Sequence, residues 1–102
     1  MLLLPATLTS REALVTLRML KQALQSEGSE GPVIVDAGPL QTLDSAAVAV
    51  LLEVERLAGA WGRAFVVRGV PPKLAALAKL YGVDVLLLKP QAAAGAVPAA
   101  SA

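Results

Sequence analysis

Asp44 and Ser45 stand directly before an apolar run, Ala46-Ala47-Val48-Ala49-Val50-Leu51-Leu52, and this junction constrains the fold more than any other stretch of the chain. Short oxygen-bearing side chains satisfy the backbone N–H groups that the first turn of a helix leaves without partners, so the pair marks a helix start. The spacing predicts a helix from there to about Ala60. At about 100° per residue, and with Val54 as the centre, Ala47, Val50, Leu51, Leu57, Ala58 and Trp61 fall within about 60° of it and form a core stripe. Ser45, Val48, Ala49, Leu52 and Arg56 fall on the other side, where a surface helix ordinarily carries Lys, Glu and Gln. A contiguous apolar group beside an exposed hydroxyl is expected where a partner docks. The alternative is that another helix of the same domain covers Val48 and Leu52.

A chain of 102 residues suits one small domain with one core. Hydrophobic residues make up 56% of it but only three are aromatic, so Leu, Val and Ala must supply the packing. Nine basic against eight acidic residues leave a formal charge of +1. Without a dense basic stripe, nucleic acid is not an expected partner. Neither Cys nor His is present, which removes a thiol nucleophile, a Ser-His-Asp triad and imidazole acid–base chemistry. It also leaves no usual structural zinc set and no disulfide framework, a usage compatible with the cytoplasm. The start Met1-Leu2-Leu3-Leu4-Pro5 lacks the basic region and the length of a signal peptide, and Glu53 and Glu55 break the longest apolar run before it could span a membrane. A soluble protein is expected.

Taken in order, Leu2, Leu3 and Leu4 with Leu8 predict a first strand that Pro5 demotes towards an edge or a bulge. Thr9 and Ser10 are N-cap candidates for a helix from about Arg11 to Gln25, with Ala13, Leu17, Leu20 and Leu24 inward and Arg11, Arg18 and Lys21 facing water. Polar and glycine breakers follow, and Pro32-Val33-Ile34-Val35-Asp36 reads as a buried central strand. Gly59 and Gly62 close the central helix. Ala64-Phe65-Val66-Val67-Arg68 predicts another buried strand, and Gly69-Val70-Pro71-Pro72 turns the chain. A third helix from about Pro72 to Tyr81 is expected to turn Leu74, Leu77, Ala78 and Tyr81 inward, and Val85-Leu86-Leu87-Leu88 to be a last strand. Strands alternating with helices predict an α/β domain over residues 1–89, with a largely parallel central sheet of about four strands and three helices. Residues 90–102, rich in Ala and Pro, have no periodicity that builds a face and are expected to be a disordered tail. The short N-terminal strand could leave an open edge for pairing with a second copy.

Asp36 and Asp44 fall near the carboxyl edge of the sheet, where ligand sites of open α/β sheets gather. A metal or phosphoryl site there lacks a third acid and a phosphate-binding glycine loop, so capping by Asp44 and a loop tie by Asp36 account for the pair. No Walker sequence is present. Ser45 has two readings. It is either a plain capping serine or a phosphorylation site whose phosphate the helix N-terminus would welcome and whose charge would weaken apolar docking at Val48, Ala49 and Leu52. Arg68, Lys73 and Lys79 read as a solvated face, and Trp61 and Tyr81 as packing residues.

Leu43-Asp44-Ser45-Ala46-Ala47-Val48 resembles the helix-start motif of STAS domains, the anti-sigma-factor antagonist fold. The continuation Val50-Leu51-Leu52 through Ala60-Trp61-Gly62-Arg63, with Val67-Arg68-Gly69-Val70-Pro71 and Leu74-Ala75-Ala76-Leu77-Ala78-Lys79-Leu80-Tyr81, is most similar to MlaB-type proteins. Those are the small cytoplasmic STAS subunits of the Mla phospholipid-transport ABC complex. The resemblance covers roughly Leu2 to Leu87. It implies helices packed on a sheet, no catalysis, and a protein partner: the ABC ATPase subunit in the transport branch, or an anti-sigma kinase that phosphorylates the equivalent of Ser45 in the sigma-regulating branch. From the residues themselves no cofactor and no metal are expected. Contact with the membrane would come only through the complex. The expected partner-binding set is Asp44, Ser45, Val48, Ala49, Leu52 and Arg56. Two positions depart from the family pattern: Ala47 stands where glycine is usual, and Ala6 replaces a glycine of the first strand.

Overall fold

The computed structural model describes residues 1–28 and 30–88. The tail expected over residues 90–102 lies outside the described residues. In chain order the elements are β1 (Leu2–Leu3), β2 (Thr7–Leu8), α1 (Ala13–Ser26), β3 (Val33–Asp36), β4 (Thr42–Leu43), α2 (Ser45–Ala60), β5 (Phe65–Arg68), α3 (Pro72–Leu80) and α4 (Asp84–Leu87). Three strands form a parallel sheet in the order β1-β3-β5, with Leu2 opposite Val35 and Val35 opposite Val67. A second, two-stranded parallel ladder pairs β2 with β4, Leu8 opposite Leu43. Parallel pairing requires a long crossover, and α1 and α2 supply those leading into β3 and β5.

The single first strand expected from Leu2 to Leu8 is therefore two strands in two ladders. Pro5 has no N–H to donate, so the ladder cannot run through it. The chain bends there, and the Ala6 carbonyl takes both the Gln41 and the Thr42 amides, at 2.7 and 2.9 Å. The last expected strand, Val85 to Leu88, is also corrected. Asp84–Leu87 is a helical turn in which Leu87 is buried while Val85 and Leu86 are exposed, a pattern that turns one side chain inward per turn.

Along β3 and β5, Val33, Val35, Phe65 and Val67 are buried, whereas Ile34 and Val66 are half-buried and Arg68 is exposed. The sheet is thus packed on one face more completely than the other, and the two strands are not equally buried on both sides as their β-branched runs suggested. Leu20 and Leu24 of α1, Val50, Leu51 and Val54 of α2 and Leu74 of α3 complete the core. Burying each such side chain fully stabilises the fold by about 1.5–3 kcal/mol. Thr16, buried at 3% exposure, joins the inward face of α1, where Leu17 is only part-covered. Tyr81 and Trp61, expected to pack inward, are 53% and 45% exposed. Both are helix C-caps, and the backbone turns away there into Gly82 and Gly62, each with positive φ.

Gly69 is required on two counts. Its φ is +64°, and a Cβ there would lie 3.0 Å from the Gly38 amide nitrogen and 3.1 Å from Asp36 Oδ1. The loops after β3 and β5 therefore pack backbone against backbone at the carboxyl edge of the sheet.

Arg63 is the one buried charged residue among those described. Its Nε donates to the Gly31 carbonyl at 2.8 Å, Nη1 to Gly28 at 3.1 Å and Nη2 to Glu30 at 3.3 Å, so one guanidinium fixes the connection between α1 and β3. A planar fork of donors suits this task and an ammonium does not. Among the described residues no buried side-chain nitrogen or oxygen lacks a partner. Arg63→Met is expected to lower stability by about 2–4 kcal/mol, with Arg63→Lys restoring only part of it, as read by urea denaturation.

Candidate functional site

The site begins where β4 ends. Asp44 has extended backbone angles, φ −135° and ψ −165°, and its carbonyl accepts the Ala47 amide at 3.0 Å, the geometry of a helix N-cap. Its Oδ1 accepts the Ala46 amide at 2.8 Å. Its Oδ2 accepts the Ser10 amide at 3.2 Å, so the same carboxylate that starts α2 also holds the turn leading into α1.

That turn is organised by Thr9 and Glu12. Glu12 Oε1 accepts the Thr9 hydroxyl at 2.6 Å and the Thr9 amide at 2.8 Å, and α1 starts after Glu12, at Ala13 rather than at about Arg11 as the Thr9–Ser10 cap suggested. The Thr9 hydroxyl first, and its amide next, hold the Glu12 carboxyl below its ordinary pKa, because both bonds favour the ionised form. With β2 and β4 paired just upstream of the two helices, the beginnings of α1 and α2 are fixed side by side.

Ser45 is exposed as the first residue of α2. Ala49 and Arg56 are exposed one and three turns further on, and Leu52 is half-buried against the core. Val48 is corrected: it is 3% exposed, part of the covered arc with Ala47, Val50, Leu51, Val54 and Ala58. The physical reason is neighbouring structure. Helix α2 packs against α1, α3, α4 and β5, so its covered arc is wider than a single stripe, and Val48, about 120° from Val54, falls inside it. The accessible strip is consequently narrower and less apolar than expected, namely Ser45, Ala49 and Arg56 with the edge of Leu52. Glu53 flanks it, 3.7 Å from Arg56.

Ala47, at the position where the family motif has glycine, is fully buried and turns its methyl group into the core rather than towards a partner. Asp36 Oδ1 accepts the Gly38 amide at 2.8 Å, a local tie of its own loop. The carboxylates of Asp36 and Asp44 are thus both engaged with backbone amides. Among the described residues no three carboxylates gather where they could hold a metal ion.

Two features of the surroundings were missed in the sequence. Ser10 contributes through its backbone rather than its side chain. Leu14, Val15 and Met19 stand 60%, 60% and 51% exposed on α1. These three fall outside the Ala13, Leu17, Leu20, Leu24 repeat, and that mismatch was the available signal.

Asp44→Ala is expected to cost about 1–2 kcal/mol. Asp44→Asn should fall between, because an amide oxygen still caps Ala46 while its NH2 cannot accept the Ser10 amide. Chemical denaturation of the three proteins checks the order.

The chain matches the family model described as Mlab, STAS domain over residues 6–89, a span that contains every element from β2 to α4. A search of curated proteins gave no match. STAS domains are generally non-catalytic regulatory domains, and the α/β architecture with parallel ladders and an aspartate-capped helix carrying an exposed serine agrees with that fold. The chain belongs to the STAS-domain family, in its MlaB type, as an accessory or regulatory protein.

Proposed function

We propose that the chain is a non-enzymatic accessory subunit that binds the ATPase subunit of an Mla-type phospholipid-transport ABC complex, through the strip that begins at Ser45 on α2. The observation that carries this reading is the exposed Ser45 and Ala49 on a helix whose start Asp44 fixes rigidly. A pre-set strip of small side chains lets a partner approach closely without an ordering cost. Arg56 and the Leu52 edge add a charged and an apolar contact. Asp44 serves the interface by holding the helix start, since its carboxylate is occupied within the chain. No helix among the described residues is long and apolar enough to cross a membrane, so the proposed route to the bilayer is through the complex, on its cytoplasmic side. Pairing with a second copy through β1 is a weaker basis for assembly, because that edge is two residues long and is followed by Pro5.

A second reading, an anti-sigma-factor antagonist switched by phosphorylation, is favoured by one feature: Ser45 is exposed at the positive end of a 16-residue helix. Intact-mass measurement on protein taken from cells separates the two. Phosphate on Ser45 near stoichiometry supports the switch, and its absence across growth conditions supports the transporter role.

Ala49→Glu keeps a good helix former at an exposed position and should fold normally. Its affinity for the ATPase subunit is expected to drop at least about tenfold, equivalent to roughly 1.4 kcal/mol, by titration calorimetry. Unchanged affinity in the folded variant would remove the α2 strip from the interface.

A further inference from the structure

Beside the α2 strip, α1 and α2 leave a groove of about 360 Å³ lined mainly by Ala13, Leu14, Leu17, Ala49, Val50 and Glu53. The tie between Asp44 and Ser10 sets the two helix starts next to each other, and the helices pack against each other beyond it. Ala13 and Ala49 offer only methyl groups, so another backbone can come close, while Leu14 is 60% exposed at the rim.

Basic side chains outnumber acidic ones around the groove, whose lining includes Glu53 and whose α1 end carries Glu12 at the helix N-cap. Helix α1 contains Arg18 and Lys21 and no acidic residue, and Arg11 precedes it; Arg11 and Arg18 are exposed. On the other wall Arg56 is 75% exposed at its side chain and lies 3.7 Å from Glu53, a pair that a partner's carboxylate would compete with.

We propose that this groove receives an amphipathic helix of a protein partner, one whose apolar stripe is flanked by carboxylates. The inference rests on the reading of α2 as a docking element and extends it to α1, naming the chemistry of the segment that docks. An apolar channel with small residues on both walls suits a helix laid lengthwise, with anchors repeating every three or four residues. Carboxylates alongside that stripe meet Arg11 and Arg18 on one side and Arg56 on the other. A flat bilayer reaches the rim but not the channel. A second copy of the chain would bring Arg11 and Arg18 against their own counterparts.

The test uses the full chain and a synthetic helical peptide with leucines at i, i+4, i+7 and i+11 and glutamates on both flanks, read by fluorescence anisotropy. The comparison peptide carries lysines in place of the glutamates. The acidic peptide should bind at least about tenfold tighter than the basic one. Leu14→Glu should weaken it by a similar factor, whereas Leu80→Glu, at a 74% exposed position on α3, should leave it unchanged. Circular dichroism confirms that both variants fold. The proposal is overturned by no binding of the acidic peptide, by equal binding of the two peptides, or by indifference to Leu14→Glu. It is equally overturned if Leu14→Glu instead abolishes attachment to phosphatidylglycerol vesicles or self-association in sedimentation. Because no ATPase subunit enters this assay, its failure leaves the Ala49→Glu result standing, and the reverse holds too.

Discussion

The fold of this domain turns on one carboxylate. Asp44 accepts the Ala46 amide with one oxygen and the Ser10 amide with the other, so a single side chain starts α2 and anchors the approach to α1. The features proposed to carry function extend from that bridge along the two helices: the exposed Ser45, the strip through Ala49 and Arg56, and the groove between α1 and α2. A cap alone would order one helix; the second bond makes the relative placement of two helices a property of the chain rather than of its partner.

The surrounding structure supports the bridge from behind. The β2–β4 ladder brings Leu8 opposite Leu43, immediately before the two helix starts, and Thr9 with Glu12 closes the turn between strand and helix. At the opposite end of α2, Arg63 gathers three backbone carbonyls of the connection between α1 and β3. Polar groups thus secure both ends of the helix pair while Leu and Val fill the middle. In a chain with so few aromatics, geometry has to come from such fixed points, because small aliphatic side chains pack well in several arrangements.

A domain of this kind has a surface that is prepared rather than reactive. The carboxylates of Asp36 and Asp44 are engaged with amides, and the accessible strip of α2 carries the Ser45 hydroxyl, the Ala49 methyl, the Leu52 edge and Arg56. Rigid presentation lowers the ordering cost of association, which suits the docking role proposed for an accessory or regulatory domain. In the proposed docking, charge selects the partner: the arginines about the groove would favour an acidic surface, and a phosphate at Ser45 would reverse the local sign.

The residues by themselves determined the helix from Ser45 to Ala60, its aspartate cap, the parallel α/β order through β3 and β5, and the family, because capping chemistry and hydrophobic period act over a few neighbours. They also marked Pro5 as a break, though not that the break divides one strand between two ladders. Only the tertiary structure decided which apolar positions are covered. Val48 is buried because helices close in on α2 from more than one side, and Leu14 and Val15 are exposed because α1 has only one side to pack. Likewise Val85 and Leu86 suggested a strand by composition, yet this stretch takes up a turn of helix that buries Leu87 instead. The burial of Arg63 is also a tertiary matter, because the fold brings three carbonyls from about 30 residues upstream around it. Burial depends on what arrives from distant parts of the chain, and periodicity within one segment carries no information about that.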